Sequence, residues 1–254
     1  MVAINNLIKS TRLVVIKIGS ALIVDPATGK ARAGWMHDLA ADVASLRAAG
    51  TQVVLISSGS IALGRQHLSL PAGAIKLPEK QAAAAIGQVE LAQLWSNALQ
   101  AHDMRTAQIL LAPEDTETRR RHINARTTIQ TLLELGFVPV VNENDTVTTY
   151  EIRFGDNDRL AARVAGMISA DLLILLSDVD GLYTKNPHQS EDAEHIPEIA
   201  QIDEDIMALG GGANAEFASG GMATKLAAAR IATDAGADMV ICKGSAARPV
   251  AALL

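Results

Sequence analysis

A lysine inside a continuous apolar strand needs a chemical reason, and Lys17 in Val-Val-Ile-Lys17-Ile-Gly19-Ser20 is such a residue. A buried ammonium is costly unless an anion or a carboxylate accompanies it. A structural ion pair is one solution. A phosphate ligand is the other, and Gly19, which lets the backbone approach oxygen atoms closely, favours it. A second lysine closes Ser219-Gly220-Gly221-Met222-Ala223-Thr224-Lys225, which leads straight into a helix, so that backbone amides, helix dipole and a cation point one way. Ser58-Gly59-Ser60 has the form of a tight turn feeding a helix whose free N–H groups suit a carboxylate or phosphate. Asp156-Asn157-Asp158 follows Gly155 and reads as a helix N-cap, with or without a second task.

Competing chemistries lack their signatures. Neither Lys17 nor Lys225 stands in the Gly-Lys-Ser/Thr order of a P-loop. The histidines show no paired zinc spacing, and Asp156-Asn157-Asp158 lacks the glycine and terminal glutamate of a calcium loop. Gly210-Gly211-Gly212-Ala213-Asn214-Ala215 satisfies the permissive dinucleotide pattern, but it follows the helical stretch Asp203 to Leu209 instead of a strand and reads as a connector. Cys242 lies in an apolar run, where a buried, inert thiol is expected.

The elements that must hold these residues follow from hydrophobic patterning. Strands are expected at Leu13–Ile18, Gln52–Ser57, Thr106–Leu111, Val138–Asn142, Leu172–Ser177 and Met239–Cys242, all nearly continuous in hydrophobicity, as strands covered on both faces must be. Helical spacing marks Trp35–Ala49, Lys80–Gln100, Arg120–Leu135, Asp158–Ile168 and Met222–Ala235, with Gly50, Gly136 and Gly236 as end caps. The alternation predicts an α/β chain, a three-layer α/β/α sandwich around a mainly parallel sheet, organised as one continuous unit. In such sheets ligands bind beyond the carboxyl ends of the strands, so Lys17, Ser58, Asn142 with Asp145, and Ser177 with Asp178 are expected to converge on one edge. The polar stretch Glu143–Gly155 and the Pro-containing stretch Lys185–Pro197 are read as loops, the latter a surface excursion.

Composition bounds the class. In 254 residues the net charge is −6, with 49% hydrophobic, 20% charged and only 3% aromatic residues, which excludes a disordered chain and disfavours a large nucleic-acid surface. The run Arg119-Arg120-Arg121-His122 reads as a solvated helix start, since no aromatic stacking platform accompanies it. The longest apolar candidate for a membrane span, Leu13–Val24, is short and carries Lys17. The start Met-Val-Ala-Ile-Asn-Asn does not resemble a secretory leader, and a single cysteine suits a reducing cytoplasm, which is the expected location.

Taken in order, Val-Val-Ile-Lys17-Ile-Gly19-Ser20, Ser57-Ser58-Gly59-Ser60-Ile-Ala-Leu-Gly64-Arg, Val138-Pro-Val-Val-Asn142-Glu-Asn144-Asp145, Phe154-Gly155-Asp156-Asn157-Asp158 and Ser219-Gly-Gly-Met-Ala-Thr-Lys225 resemble the amino acid kinase family, in particular its glutamate-directed members. The resemblance runs along nearly all the chain. It implies the amino acid kinase fold over 1–254, with a glutamate-binding part roughly 1–165 and an ATP-binding part roughly 166–254. It implies transfer of the γ-phosphoryl of ATP to the side-chain carboxylate of L-glutamate, the first step towards proline. Lys17, Lys225 and Asp158 would be catalytic, the two lysines on the phosphoryl group and Asp158 holding both. Ser58, Gly59, Asp145 and Asn157 would bind glutamate, with Asn142 in support. Lys17, Gly19, Ser177, Asp178, Ser219, Gly220, Gly221, Met222, Ala223, Thr224 and Lys225 would bind ATP, which would carry Mg²⁺.

The same resemblance implies L-proline as a feedback inhibitor and a homo-oligomer, dimer or tetramer, with neither nucleic acid nor membrane as partner. Many such members append a small C-terminal PUA domain. None is read here, where the sequence stops at Ala251-Ala252-Leu253-Leu254 without the strand that usually follows the last helix. Ser177 stands where threonine is commoner. Two other readings remain open from sequence: a sibling kinase acting on another substrate, and a nucleotide-binding regulatory member without turnover.

Overall fold

The computed structural model describes residues 2–70, 73, 75–148, 157–187, 189–211 and 221–253. Among them the strands are β1 (Leu13–Ile18), β2 (Gln52–Ser57), β3 (Arg105–Leu111), β4 (Phe137–Glu143), β5 (Leu172–Ser177), β6 (Leu182–Tyr183), β7 (His195–Ile196) and β8 (Asp238–Lys243). β6 and β7 form a small antiparallel ribbon, and the other six make one wholly parallel sheet in the order β3-β4-β2-β1-β5-β8. The helices are α1 (Val2–Ser10), α2 (Ser20–Ile23), α3 (Ala33–Ala48), α4 (Ser60–His67), α5 (Leu77–Gln100), α6 (Pro113–Glu117), α7 (Arg119–Glu134), α8 (Asn157–Ile168), α9 (Glu204–Ala208) and α10 (Met222–Asp234).

The period of two along each strand divides the core. Val14, Ile16 and Ile18 of β1, Leu55 of β2 and Ile174 of β5 face α3 and α5, whereas Val15, Ile56, Leu173 and Leu175 face α7, α8 and α10. The two apolar layers cover both faces of the sheet, which gives the expected three-layer sandwich. Each of the five predicted crossover helices is present, and Gly50, Gly136 and Gly236 all take the left-handed conformation at helix ends. None of the described helices is long and apolar enough to cross a membrane.

Sequence patterning missed the short pieces. α1, α2 and α6 are too brief for helical periodicity to register. α5 starts earlier than expected because Pro78 stands in its first turn, where a missing N–H costs nothing, and Glu79 Oε2 accepts the backbone N–H of Lys76 at 2.8 Å. The stretch from Lys185 is an exposed excursion as expected, but it closes into the β6–β7 ribbon through the Thr184 N–H to the Glu194 carbonyl at 2.9 Å. The run at Arg119 opens α7 with its three arginines exposed.

β8 is an edge strand, but it is longer than the uncharged run Met239–Cys242, and exposed Asp238 and Lys243 put a charge at each end. The chain then returns over α3. Buried Asp42 accepts Arg248 Nε at 2.9 Å and the backbone N–H groups of Val250 at 2.9 Å and Ala251 at 3.2 Å. Cys242 is buried, and burial, helped by the Asp42 carboxylate, pushes its thiol up to about 12, so it stays protonated and inert.

Candidate active site

Parallel topology brings the carboxyl ends of β1, β2, β4, β5 and β8 to one edge, and the helices that follow strands begin there. Strand alternation places Lys17 on the Val15 side of β1, towards α8, where the second residue of that helix is Asp158. Lys17 Nζ lies 2.5 Å from Asp158 Oδ1, and Lys225 Nζ, from the first turn of α10, lies 3.3 Å from Asp158 Oδ2. All three are buried, Asp158 completely. One carboxylate therefore divides its two oxygens between two ammoniums, and the N-terminus of α8 favours the negative charge. Thr224 completes the corner, donating from Oγ1 to the Gly221 carbonyl at 2.8 Å and lying 3.4 Å from Asp158 Oδ2.

The residue beside Asp158 builds a second cluster. Asn157 Nδ2 donates to Ser58 Oγ at 2.6 Å and to Asn142 Oδ1 at 3.0 Å. Asn142, buried at the end of β4, donates to Gln88 Oε1 at 2.9 Å and to Ser60 Oγ at 3.3 Å. These bonds consume the amide nitrogen of Asn157 and leave its buried Oδ1 without a hydrogen-bond partner among the described residues. A buried acceptor left in that state is costly and fits a ligand donor. Because Asn157 and Asp158 are consecutive, the polar cluster over β2 and β4 and the cationic cluster over β1 are one site.

Close backbone contact holds the polar cluster. A Cβ on Gly64 of α4 would stand 1.8 Å from the Ala83 carbonyl oxygen, and one on Gly87 of α5 would stand 1.8 Å from that of Ser60. The two helices can cross at that distance only as glycines, which seats Ser58–Ser60 against Gln88. Gly59 has φ +116°, a left-handed turn in which any Cβ would also crowd Ile23. With glycine before it, α4 carries no side-chain cap, and its first N–H groups are open to an anion.

The other predicted residues that are described stand at the ends of β1 and β5, after β4 and at the start of α10. Gly19 follows β1 at the start of α2, and a Cβ there would stand 3.9 Å from Lys17 Nζ. Ser177 ends β5 and donates from Oγ to Asp178 Oδ1 at 2.9 Å. Gly221, Met222 and Ala223 form the uncapped opening of α10. Asp145 is half-buried in the turn after β4. Phe154, Gly155, Asp156, Ser219, Gly220 and the connector from Gly212 to Ala215 lie outside the described residues. Sequence reasoning missed Gln88 and Ser60 as supports of Asn142. The signal for Gln88 was present, since it interrupts the buried stripe Ala84, Leu91 and Trp95 of α5.

A parallel α/β/α sandwich that sets one strand lysine and one helix lysine on a single buried aspartate matches a known family model: the chain belongs to the amino acid kinase family, which accounts for residues 12–243. Among its relatives, glutamate 5-kinase of Gluconobacter oxydans is 56% identical over 239 residues, covering 94% of this chain and 63% of that protein. Glutamate 5-kinase of Bartonella henselae is 58% identical over 240 residues, again 94% of this chain and 63% of the relative. The chain thus spans a little under two thirds of the length of these curated relatives. Carbamate kinase from Giardia lamblia bound to AMP-PNP has the same fold, with a TM-score of 0.68 at 17% identity and 96% of each chain covered. UMP kinase from Bacillus anthracis superposes with a TM-score of 0.65 at 15% identity, covering 93% of this chain and 88% of that one.

Proposed function

We propose that the protein is an ATP-dependent glutamate 5-kinase, which phosphorylates the side-chain carboxylate of L-glutamate. The observation that carries this reading is the Lys17–Asp158–Lys225 arrangement, buried at the strand ends beside the Ser58–Asn142–Asn157 cluster. The high identity to glutamate 5-kinases supports the choice of substrate.

Phosphoryl transfer needs little covalent help and much charge stabilisation along an in-line path. Lys17 and Lys225, fixed on Asp158, meet the oxygens of the transferring group from two sides and stabilise charge as it shifts from nucleotide to acceptor. The glutamate lies over β2 and β4. The uncapped N–H groups at the start of α4, beside the Ser58 hydroxyl, take its α-carboxylate, Asp145 pairs with its ammonium, and the unpaired Oδ1 of Asn157 accepts a further donor. The nucleotide lies over β5, along Gly19, Ser177, Asp178 and the Ser219–Lys225 segment. Lys17 and Gly19 apart, the acceptor part of the site draws on roughly 1–165 and the nucleotide part on roughly 166–254.

Mg²⁺ carried by the triphosphate would supply charge neutralisation at the phosphate oxygens. The donor set fits that role, because both oxygens of Asp158 face ammoniums and the polar cluster consists of amides and hydroxyls. Proline carries the same α-carboxylate beside a cationic nitrogen, so it competes for the Ser58 and Asp145 end of the site. A cytoplasmic location and a homo-oligomeric state belong to the same reading.

The test is glutamate-dependent ADP release with hydroxylamine trapping of the acyl phosphate. Both signals are expected together, and N-acetylglutamate, which lacks the ammonium, should be a very poor substrate. Equal kcat/KM for the two compounds would move the protein to a sibling kinase, and failure to release ADP with any acceptor would leave the regulatory reading.

A further inference from the structure

The parallel register places one more cation at this edge. Lys243 is the last residue of β8, and its register partner on β5 is Ser177. On β8, Met239 and Ile241 pack into the layer that faces α8 and α10, so the period of two puts Lys243 on that side too, the side occupied by Lys17. Lys17 is level with Leu175, and Leu175 with Ile241, so Lys243 stands two residues further towards the open edge. Two strand spacings across and two residues along separate the Cα atoms of Lys17 and Lys243 by about 12 Å. On the nucleotide reading given above, a triphosphate whose γ end rests on Lys17 would run that way along β5.

Lys243 is exposed and makes no ion pair within 4 Å among the described residues. Its field does reach Asp180 three residues beyond Ser177. A hydrogen bond from the Tyr183 hydroxyl, made at 2.8 Å, is the main influence holding that carboxyl below the usual range, with His195 and Lys243 adding to it. The backbone fixes this lysine closely. The Gly244 N–H donates to the Ser177 carbonyl at 2.7 Å, and Trp35 Nε1 donates to the Gly244 carbonyl at 2.8 Å. Leu22 and Leu176 pack closely on Gly244, so that a Cβ there would push the end of Leu22 aside. The strand end that carries Lys243 is therefore locked to the strand end that carries Ser177.

From this placement we infer that Lys243 is a nucleotide-affinity residue, contacting the α- and β-phosphates of the bound nucleotide while Lys17 and Lys225 serve the transferring group. This rests on the nucleotide reading of the site given above. A cation there distinguishes a phosphorylated nucleotide from a nucleoside, and it does so without touching the acceptor.

The experiment measures ADP and adenosine binding by calorimetry to the wild-type chain, Lys243→Met and Lys243→Arg, at low and at high salt. Removing the charge should weaken ADP binding roughly tenfold, the lower range for a charge-assisted contact at an exposed position. Adenosine binding should not move, Lys243→Arg should retain most of the affinity, and the salt dependence of ADP binding should flatten in Lys243→Met. In turnover assays the ATP KM should rise while the glutamate KM stays in place. Unchanged ADP affinity in Lys243→Met, or equal losses for ADP and adenosine, would overturn the inference while leaving the proposed activity standing. A wild-type chain that binds no ADP would overturn both.

Discussion

Replacing Asp158 by Asn keeps the shape of the side chain and removes the charge that two lysines share. The amide has one acceptor where the carboxylate had two, so its NH₂ must turn towards Lys17 or towards Lys225 and Thr224, each of which also offers donors there. Two ammoniums on the two oxygens of one carboxylate stand roughly 6 Å apart, and with an effective dielectric of about 20 their repulsion is about 3 kcal/mol. Removing one partner from a buried ion pair costs a similar ~3–5 kcal/mol, and Asp158 is fully buried. In a chain of this size that amounts to a fall in Tm of roughly 6–12 °C. Turnover should fall by about 10²–10³, because the cations lose their fixed position. Thermal melts with and without tripolyphosphate give a further readout. The polyanion supplies the missing negative charge, so it should raise the Tm of Asp158→Asn more than that of the wild type. A variant with wild-type turnover and wild-type Tm would show that Asp158 holds neither lysine in place.

Lys225→Met should lose about 10²–10³ in turnover yet melt within a few degrees of the wild type, since Lys17 still pairs with Asp158; circular dichroism beside the coupled assay reads both. Gly87→Ala should destabilise by about 1–3 kcal/mol and raise the glutamate KM, because its Cβ meets the Ser60 carbonyl and parts α4 from α5; a urea titration showing no change would contradict the crossing. Asp171 takes the backbone N–H groups of Arg12 at 2.8 Å and Leu13 at 2.9 Å. Burial works to raise its pKa, but these bonds and the Arg12 guanidinium outweigh it and hold the carboxyl below its usual value. Its stabilising effect is thus complete above the unfolded value near ~3.9 and is lost as pH falls through the lower folded value. The stability gap between wild type and Asp171→Asn should be constant from neutral pH down to about pH 5 and narrow in stronger acid; a gap that did not narrow as the carboxyl is protonated would refute the linkage.

The sheet and its crossover helices were legible because parallel strands buried on both faces read as continuous apolar runs, and Leu13–Ile18, Gln52–Ser57 and Leu172–Ser177 came out with their observed ends. Lys17 was legible for the opposite reason, as a charge within such a run. Its partner was not legible from spacing. Asp158 lies 141 positions away, and only the fold, or resemblance to a family with the same fold, brings the two together. Ser60 stood inside a recognised turn and Gln88 interrupted an apolar stripe, but that both hold Asn142 depends on the fold that brings β4 against α4 and α5. The α4–α5 crossing was also hidden, since Gly64 and Gly87 differ from ordinary helical glycines only through what lies opposite them. Asn157 stood inside a recognisable cap motif, but its unpaired Oδ1 depends on which atoms Ser58 and Asn142 present to it.

The position of β1 between β2 and β5 has a consequence for how the molecule comes into being. Among the described strands the first in chain order is a central one, and one of its two edges waits for Leu172–Leu176, more than 150 residues later. The docking of Val250 and Ala251 on Asp42 closes a loop longer still. Contacts this distant in sequence make folding slow and late. The division proposed above between acceptor and nucleotide parts would therefore be one of chemistry only. An emerging chain cannot complete the part before residue 166 first, because the strand bearing Lys17 is not fully paired until Leu172–Leu176 has appeared.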